Sequence, residues 1–463
     1  MNANANFKTI SGSICAPRGF KAAAVFCDIK KLGTGKGSEK GQKRDLALIV
    51  SDVPAAVAGM FTTNQVCAAP VKVSAKRARK KLARAIVVNS GNANTCTGRQ
   101  GIADAQQMAR LTAASVAALY ERRKNSNRPT VIDRRYRISE KDVLVCSTGR
   151  IGVPMPMKNV GRGIRECAPL LARSTTNARQ VAEAIMTTDT RRKEIAVEFK
   201  IDNRAVRIGG ICKGAGMIEP GMAVATGLWP VGTKHATMLA FITSDAAIES
   251  NALKRALEAA VARSFNRITV DGDMSTNDSV IMLANGLAGN SRIENREPRL
   301  EIFQRALNLV TLELAKMVVC DGEGATRFIT LHVHGARNAR EAEAAARAIA
   351  NSTLVKTSWC GGDPNWGRIL CALGYSTAKV EESIVDVGYS RAGEREIAFA
   401  FRRGRPTNVA LNTLAKITST PQFDLHVDLH AGAQDFVMYA SDLTEDYVAL
   451  NKGDVNDPRS LGG

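Results

Sequence analysis

The sequence predicts a mixed α/β fold with more than one domain. Short apolar runs of buried-strand length alternate with segments whose apolar side chains recur at helical spacing, which is typical of packed α and β layers. At 463 residues the chain is long enough for about two to four domains. It contains no internal repeat, no low-complexity tract and no apolar run of the roughly 20 residues that a bilayer crossing needs. We therefore expect a folded globular protein outside the membrane.

The first half of the chain supplies predicted strands, a helix and a hairpin. Residues 45–50 (DLALIV) and 84–88 (RAIVV) are apolar runs of strand length, and residues 101–120 carry apolar side chains at helical spacing. Residues 195–208 alternate apolar and polar side chains on either side of Asp202-Asn203. Because aspartate and asparagine favour tight turns, this segment predicts a β-hairpin.

The second half continues the alternation with two helices and two strands. Apolar residues at helical spacing predict a helix over 253–261 and a longer one over 300–317. Strands are predicted at 328–333 and at 423–429, where apolar and polar residues alternate. Both layers of a packed fold are therefore present in each half of the chain.

The chain is strongly basic, with 64 Lys and Arg residues against 44 Asp and Glu residues and a net charge of +20. A basic surface suits nucleic acid. However, the basic residues are scattered and only 5% of residues are aromatic, so stacking platforms are scarce and we predict no nucleic-acid role. The sequence gives no reason for the +20 charge. The first residues lack a signal peptide and the ten cysteines form no C-x-x-C pair, which favours the reducing cytoplasm.

Four of the five histidines fall in two strand-like segments, 331–334 (LHVH) and 424–430 (DLHVDLH). Strand periodicity places the two histidines of the first segment on one face, and the histidines and aspartates of the second segment on another. Such a row could bind a metal, but it also matches the solvent-facing side of a half-buried strand. We favour the second interpretation and predict no metal. Because His235 is the one remaining histidine, any acyl chemistry here favours a base other than histidine.

One segment, residues 213–242, points to chemistry. Glycine and small residues lead up to Thr237, and an apolar run follows it. If the Ala236–Thr237 bond were cut by attack of the threonine hydroxyl on its preceding carbonyl, Thr237 would gain a free α-amino group. That amine, with an ordinary pKa of about 7.7–8.0, can act as the base for the adjacent hydroxyl. The pattern alone also fits a structural threonine at the start of a strand.

Nine motifs in one order carry a family resemblance. They are 59–74 (GMFTTNQVCAAPVKVS), 89–98 (NSGNANTCTG), 146–152 (CSTGRIG), 184–190 (AIMTTDT), 213–218 (KGAGMI), 236–239 (ATML), 269–278 (TVDGDMSTND), 321–326 (DGEGAT) and 363–370 (DPNWGRIL). Together they resemble the ornithine acetyltransferase family, the glutamate N-acetyltransferases of arginine biosynthesis. The resemblance covers nearly the whole chain, from about residue 12 to Asn451.

The resemblance implies a two-domain ornithine-acetyltransferase-like fold with an amino-terminal threonine nucleophile. Thr237 would be this nucleophile after self-cleavage behind Ala236. The Thr148 hydroxyl and the Gly149 backbone N–H would form the oxyanion hole, where both donors meet the charge of a tetrahedral intermediate.

Cleavage at this bond would divide the chain into an alpha chain, 1–236, and a beta chain, 237–463, with two of each in the assembly. The substrate-binding residues that the resemblance implies are Thr187, Lys213, Thr237, Glu323 and Asn451. A lysine for a carboxylate and a glutamate for an amine suit a zwitterionic amino-acid substrate.

The implied reaction is a double displacement that needs no metal and no other cofactor. N-acetylornithine would give its acetyl group to Thr237, and glutamate would take it from the enzyme. Some members of the family also use acetyl-CoA to acetylate glutamate, and the sequence leaves this second activity open. Two alternatives remain: a self-processing aminopeptidase of related fold, and a cleavage-deficient pseudo-enzyme or basic binding protein.

The chain departs from the family pattern at two places. About thirteen extra residues, Val224 to Ala236, separate the glycine-rich loop from Thr237, so cleavage either remains at Thr237 or moves to the second Ala–Thr bond, Ala225–Thr226. We favour Thr237 because it alone is followed by the matching strand. The family also ends a few residues after the asparagine, at a Thr or Ser that binds substrate. Here twelve residues follow Asn451, and Ser460 is the available substitute.

Overall fold

The computed structural model describes residues 7–30, 43–124, 138–224 and 238–452, which form two β-sheets with helices packed against them. In chain order the strands are β1 (Lys8–Thr9), β2 (Phe20–Val25), β3 (Leu46–Phe61), β4 (Leu82–Asn92), β5 (Val143–Arg150), β6 (Lys193–Ile201), β7 (Arg204–Lys213), β8 (Ala223–Val224), β9 (Leu239–Ser244), β10 (Ile268–Thr269), β11 (Ser279–Ala284), β12 (Phe328–Ala336), β13 (Asp386–Arg391), β14 (Ala398–Arg402), β15 (Arg405–Pro406), β16 (Gln422–Asp428) and β17 (Gln434–Ser441). The helices are α1 (Ala69–Ala78), α2 (Gly98–Lys124), α3 (Met157–Cys167), α4 (Thr175–Ala184), α5 (Ser250–Ala262), α6 (Pro298–Val319), α7 (Ala339–Ala350), α8 (Thr353–Gly361), α9 (Trp366–Gly374), α10 (Leu411–Thr418) and α11 (Glu445–Asn451). The predicted mixed α/β class is confirmed.

Strand β3 organises the larger sheet because it bends in its middle. Its ladder with β4 loses register between Val50 and Ala55, where Pro54 has no N–H to donate. Before the bend β3 pairs with β2, and after it β3 pairs with β11. The strand order β1-β6-β7-β9-β11-β3-β4-β5 therefore runs continuously through two halves of one sheet.

The two halves of the larger sheet face each other across a shared apolar core. In β3, Ala47 and Ile49 point into this core, while Leu46 and Leu48 point outward to α2 and α3. The outer face of the other half, formed by β6, β7, β9 and β11, is covered by α5 and α6. The result is four layers, helix, sheet, sheet and helix, with β9 in one of the two inner layers.

The predicted hairpin consists of β6 and β7, joined by Asp202 and Asn203. Both turn residues have positive φ angles, 50° and 59°, as a type I′ turn requires, and aspartate and asparagine tolerate this conformation better than most residues. The predicted strand at 45–50 coincides with the start of β3 except for Asp45, the predicted strand at 84–88 lies within β4, and the predicted helix at 101–120 lies within α2. These predictions are confirmed, with longer bounds because ladders and helices continue past the apolar residues.

The smaller sheet has the strand order β10-β17-β12-β16-β13-β14-β15. The two strands predicted in the second half are β12 and β16, which pair in parallel with His332 opposite His426. Leu331 and Val333 point to the core shared with helices α7 to α10. The opposite face is partly exposed and carries His332, His334 and His426. The two histidine segments, which the sequence assigned to separate faces, therefore share one face of one sheet.

The predicted division at position 237 falls inside the larger sheet. Strands β1 to β8 precede this position and β9 and β11 follow it, whereas the smaller sheet comes entirely from residues after it. Buried Glu219 ties the two sheets together, because it accepts hydrogen bonds from Arg347 and from Asn351 Nδ2, the latter at 2.8 Å. No helix in the described ranges combines the length and the apolar character of a membrane span.

Candidate active site

Several strands of the larger sheet begin or end along one edge, and several of the predicted site residues that the structure describes lie near it. Leu239, the first residue of β9, pairs with Lys213 at the end of β7 on one side and with Ser279 at the start of β11 on the other. Ser279 in turn pairs with Phe61 at the end of β3. The sheet thus places the predicted substrate lysine one strand away from the start of β9.

Six residues named in the sequence analysis lie outside the described part of the chain, namely Ala225, Thr226, His235, Ala236, Thr237 and Ser460. The residue that follows Thr237, Met238, is buried and firmly held. Its backbone N–H donates to Asp278 Oδ1, and its carbonyl oxygen accepts a hydrogen bond of 2.9 Å from the backbone N–H of Ser279. Because the Met238 nitrogen is bonded to the carbonyl carbon of Thr237, Asp278 anchors the chain one bond away from the predicted nucleophile.

Asp278 is a buried carboxyl group in which only one of the two oxygens has a hydrogen-bond partner among the described residues. Its Oδ1 accepts from Met238, whereas its Oδ2 has no hydrogen-bond partner among the described residues. Burial raises the pKa of Asp278 well above its usual range, and the Met238 amide opposes this shift only in part. Burial of this kind favours the protonated form of a carboxyl group, which can donate a hydrogen bond.

The predicted oxyanion residues form a tight corner at the end of β5. Thr148 is buried, and its Oγ1 has no hydrogen-bond partner within the described ranges. Gly149 has φ of +127°, and a Cβ there would lie 2.4 Å from the backbone carbon of Gly91, so only glycine fits. Asn277 Nδ2 donates to the carbonyl oxygen of Ser147 at 2.8 Å, which ties this corner to the residue next to Asp278.

Lys213 lies in a buried, charged pocket with Asp189. The backbone N–H of Gly214 donates to Asp189 Oδ1 at 2.9 Å, and the backbone N–H of Thr187 donates to Oδ2 at 3.0 Å. The same carboxylate therefore holds the backbone of Thr187 and of Gly214, the residue directly after Lys213. Burial lowers the pKa of Lys213, although Asp189 and other carboxylates oppose this shift.

A second buried lysine, Lys193, completes the ionic cluster. Its Nζ lies 2.6 Å from Asp189 Oδ1 and 2.5 Å from Asp321 Oδ2, and Thr190 donates to the same Asp321 carboxylate through its hydroxyl and its backbone N–H. Burial alone would raise the pKa of Asp189, but the positive charges of Lys213 and Lys193 lower it overall. This cluster joins the segment before β6 to the end of α6.

The loop after Lys213 has a strained backbone. Ala215 and Met217 have φ angles of 101° and 55°, which non-glycine residues adopt at a cost. The Asp271 carboxylate stabilises this conformation by accepting the backbone N–H groups of Met217 at 2.7 Å and of Ile218 at 2.8 Å. The loop therefore holds a fixed shape beside the predicted substrate lysine.

Glu323 and Asn451 meet at the open side of this loop. Asn451 Nδ2 donates to Glu323 Oε2 at 2.7 Å, and the Glu323 backbone N–H donates to the carbonyl oxygen of Ala215 at 3.1 Å. A Cβ on Gly216 would lie 2.4 Å from Glu323 Oε2, so this glycine makes room for the carboxylate. The structure thus brings together Thr187, Lys213, Glu323 and Asn451, as well as the Thr148 corner.

The described histidines lie elsewhere. His332, His334, His426 and His430 belong to the smaller sheet or to the turn that follows β16, and His235 falls outside the described ranges. The predicted preference for a base other than histidine stays a prediction, and no described histidine contradicts it.

Sequence reasoning missed the carboxylates that hold this site. Asp189 and Asp278 both stand within motifs that carry the family resemblance, yet neither was given a role. The signal that could have found Asp278 is its position directly before an apolar run of strand length, 279–284, because residues at the start of adjacent parallel strands meet at one edge. Nothing in the sequence places Asp189 beside Lys213.

The arrangement can perform acyl chemistry on a zwitterion. A buried ammonium group suits a substrate carboxylate, and the carboxylate of Glu323 suits a substrate amine. A threonine hydroxyl and a neighbouring backbone N–H at a glycine suit the oxyanion of a tetrahedral intermediate. Lys213 pairs with the first residue of β9, the Thr148 corner is tied to the residue before Asp278, and Glu323 is tied to the loop after Lys213.

Comparison with known proteins identifies the family. A family model described as the ArgJ family matches residues 22–453. This chain belongs to the ArgJ family. An arginine biosynthesis bifunctional protein ArgJ from Symbiobacterium thermophilum is 43% identical over 442 residues, which cover 96% of this chain and 98% of the relative. A glutamate N-acetyltransferase from Methanocaldococcus jannaschii is 42% identical over 450 residues, with 96% and 98% covered.

Solved structures include an ArgJ chain as well. A chain of the arginine biosynthesis bifunctional protein argJ from Bacillus halodurans is 40% identical, covers 47% of this chain and 99% of its own length, and superposes with a TM-score of 0.44. The family predicted from the nine motifs is thus confirmed by sequence. Since the curated ArgJ relatives match along nearly their whole length, the candidate site lies in the part of the chain that they share.

Proposed function

We propose that this ArgJ-family chain is a glutamate N-acetyltransferase of arginine biosynthesis, which moves the acetyl group of N-acetylornithine to glutamate. Family membership and a relative named glutamate N-acetyltransferase support the activity. One structural observation carries the site: Met238, which follows Thr237, donates its backbone N–H to buried Asp278, and the next residue, Leu239, pairs with buried Lys213 at one edge of the larger sheet. This edge is where an acyl group on Thr237 would sit.

The first half of the proposed reaction forms an acetyl ester on Thr237. The threonine Oγ attacks the acetyl carbonyl carbon of N-acetylornithine, so that an O–C bond forms and the amide C–N bond breaks. The hydroxyl proton passes through the α-amino group of Thr237 to the departing amine of ornithine. The second half reverses these steps: the glutamate amine attacks the ester carbon, the C–Oγ bond breaks, and a proton from the amine returns to Oγ.

The Thr148 hydroxyl and the Gly149 N–H stabilise both tetrahedral intermediates in this proposal. The unpartnered Oγ1 of Thr148 supports this role, because a buried hydroxyl normally has a partner. The positive φ of Gly149 supports it too, since that conformation turns the backbone sharply at the end of β5. Removing one such donor typically lowers the rate about 100- to 1,000-fold.

Substrate recognition in this proposal uses the charges around the strained loop. Lys213 binds the α-carboxylate of ornithine or glutamate, and Glu323, positioned by Asn451, binds an amine. Thr187 and Thr237 complete the contacts. N-acetylornithine and glutamate both carry an α-carboxylate next to the nitrogen that gives or takes the acetyl group, which explains how one pocket serves the two halves of the reaction.

The proposal includes self-cleavage between Ala236 and Thr237, which yields an alpha chain of 236 residues and a beta chain of 227 residues. The two chains remain associated because β7 from one and β9 from the other pair along six positions of the larger sheet. Two copies of each chain, a cytoplasmic location and an additional use of acetyl-CoA as acetyl donor complete the proposal, following the family resemblance. The curated relative named as bifunctional supports a second activity.

The deciding experiment is the intact mass of the purified, denatured chain. We expect the wild type to appear as fragments of 236 and 227 residues, and a Thr237→Ala variant to remain a single chain. Thr226→Ala is the matched control, because it removes the other Ala–Thr site and leaves Thr237 in place. Cleavage before Thr226 would move the nucleophile into the extra segment, and an uncut wild type would overturn self-processing.

Acetyl transfer is then measured on the same samples. The wild type should produce N-acetylglutamate from N-acetylornithine and glutamate, and it should trap radiolabelled acetyl on the 227-residue chain. Peptide hydrolysis without acetyl transfer would instead support an aminopeptidase. Neither activity, together with salt-sensitive binding of nucleic acid, would support the basic binding protein.

A further inference from the structure

The partly exposed face of the smaller sheet brings three histidines together. His332 and His334 stand two residues apart on β12, so both side chains point to the same face. His426 stands directly opposite His332 on the neighbouring parallel strand β16. One nitrogen from each of the three rings lies within 4.8 Å of the other two.

The three rings are nearly parallel. The ring centroids of His332 and His426 are 4.8 Å apart at an interplanar angle of 8°, and those of His332 and His334 are 5.9 Å apart at 9°. Zinc–nitrogen bonds of about 2.0–2.1 Å in a tetrahedral site place ligand nitrogens about 3.3 Å apart. The nitrogens lie within 4.8 Å of one another, so they must approach by up to about 1.5 Å, and rotation of the partly exposed rings about χ1 and χ2 brings them together.

Each ring has a polar partner on its outer side. Ser390 Oγ lies 2.9 Å from His426 Nε2, Asp435 Oδ2 lies 3.3 Å from His334 Nδ1 and Asp424 Oδ2 lies 3.8 Å from His332 Nε2. Metal-binding histidines commonly use one nitrogen for such a partner and the other for the ion. Ser390 holds the His426 ring through Nε2, which leaves the Nδ1 of this ring for a ligand.

His426 adds an independent observation. Its Nδ1 is buried and has no hydrogen-bond partner among the described residues, although its Nε2 is paired with Ser390. A buried polar atom without a partner is uncommon in a folded protein, and such an atom often binds a water molecule or an ion. The free nitrogen belongs to the ring on β16, the strand between β12 and β13.

We propose that His332, His334 and His426 form a binding site for one divalent transition-metal ion of the zinc class. Three imidazole nitrogens match the donors that zinc prefers, with the fourth position open to water or to the Asp424 carboxylate. Two ligands two residues apart on one strand and a third on the adjacent strand form a compact, rigid triangle. This site lies on the smaller sheet and takes no part in the proposed acetyl transfer.

Zinc alone, added to the full metal-free chain, tests the proposal. The titration uses a Cys96→Ser/Cys371→Ser background, because these two exposed thiols also bind zinc. We expect one tight equivalent of zinc per chain by calorimetry. Co²⁺ in place of zinc should give the visible absorption of a tetrahedral site without the near-ultraviolet band of a thiolate ligand.

Two variants and one control decide the outcome. His426→Asn and His334→Gln should each weaken zinc binding by at least about 100-fold. Of the two variants, His334→Gln is less able to disturb folding, because the His334 side chain is 39% exposed. His430→Asn is the matched control, since His430 pairs with Asp386 and lies outside the cluster. Unchanged affinity in the first two variants, or no tight equivalent in the parent, overturns the site. Acetyl transfer should change less than about twofold on zinc removal, so this result is independent of the proposed function.

Discussion

Lys193 and Lys213 are two buried lysines on adjacent strands that share Asp189 but differ in their surroundings. Lys193 contacts Asp189 at 2.6 Å and Asp321 at 2.5 Å. Lys213 forms no ion pair within the described residues, although it is 2% exposed. Burial lowers the pKa of both lysines, but the two carboxylates reverse this effect only at Lys193, whose pKa rises.

This difference indicates that the charge of Lys193 stabilises the fold, whereas the charge of Lys213 can bind a ligand. Removing a charge from water is costly unless a partner compensates. At Lys193 the protein supplies both partners, so the cation locks β6 to the end of α6. At Lys213 the nearby carboxylates offset the cost of burial only in part, so the ammonium group can still be stabilised by binding an anion. The α-carboxylate of an amino-acid substrate is that anion in the proposed reaction.

The largest expected effect is on folding and comes from Lys193→Met. This change removes the ammonium group that contacts both buried carboxylates. We expect a loss of about 3–5 kcal/mol of unfolding free energy, because hydrogen bonds from Thr190 and the more distant, exposed Arg191 compensate the Asp321 charge only in part. Denaturant unfolding of the variant beside the wild type measures it. The matched control is Arg192→Met, whose exposed pair with Glu183 should be worth less than about 1 kcal/mol. Equal losses in the two variants would contradict the assigned structural role.

The next effect is on activity and comes from Lys213→Met. We expect kcat/KM for N-acetylornithine to fall about 100-fold, equivalent to about 2.7 kcal/mol, because the substrate carboxylate loses its partner. Stability should stay within about 1 kcal/mol of the wild type, since a buried and poorly paired charge is removed. The same change at exposed Lys200, on the same hairpin, should leave both quantities unaltered. A Lys213→Met variant that unfolds but keeps its kcat/KM would reverse the comparison between the two lysines.

The contrast between the lysines is not visible in the sequence. Lys193 stands in the charged run RRK, which is typical of a solvated surface, and its partner Asp321 is 128 positions away. Lys213 could be assigned because it lies in a motif that resembles the family. A local sequence motif was enough to assign Lys213. The ion pairs that bury Lys193 could not be predicted in this way, because they depend on how β6, β7 and α6 pack together.

The same limit applies to the fold. Local signals predicted the hairpin around Asp202-Asn203, the helices and the main strands, and the comparisons confirm the predicted family and enzyme class. Parallel pairing across long separations was missed. His332 and His426 were placed on separate faces because 94 residues separate them, and only the β12–β16 pairing brings them together. The roles of Thr148, Gly149 and Thr237 remain predictions.

A smaller effect follows from pH, which distinguishes the lysines without mutation. Burial holds the pKa of Lys213 below the ordinary 10.5, so this residue loses its proton before Lys193 as pH rises. We expect the KM of the wild type for N-acetylornithine to increase about tenfold as Lys213 deprotonates, equivalent to about 1.4 kcal/mol. In the Lys213→Met variant this increase should be absent, which also corrects for titration of the substrate.

Unfolding of the protein at high pH does not explain this expected increase in KM. Between the lowered pKa of Lys213 and pH 10.5, the unfolded chain binds more protons at this position than the folded chain does. The contribution of Lys213 to stability therefore increases with pH in that interval. Parallel pH profiles for the wild type and Lys213→Met would show that the ammonium group has no contact with substrate.

The smallest expected effect lies at the open side of the same pocket, at Asn451→Ala. The amide of Asn451 donates to Glu323 Oε2 at 2.7 Å, but both groups remain accessible to water, so the hydrogen bond is worth about 0.7 kcal/mol. We expect about a threefold rise in KM with unchanged kcat, because Asn451 positions Glu323 and does not touch the reacting atoms. Lys452→Ala, at the next exposed position, is the control. A loss as large as that of Lys213→Met would mean that substrate binding depends on the carboxyl-terminal helix as much as on the buried lysine, and the two regions would then form one recognition unit.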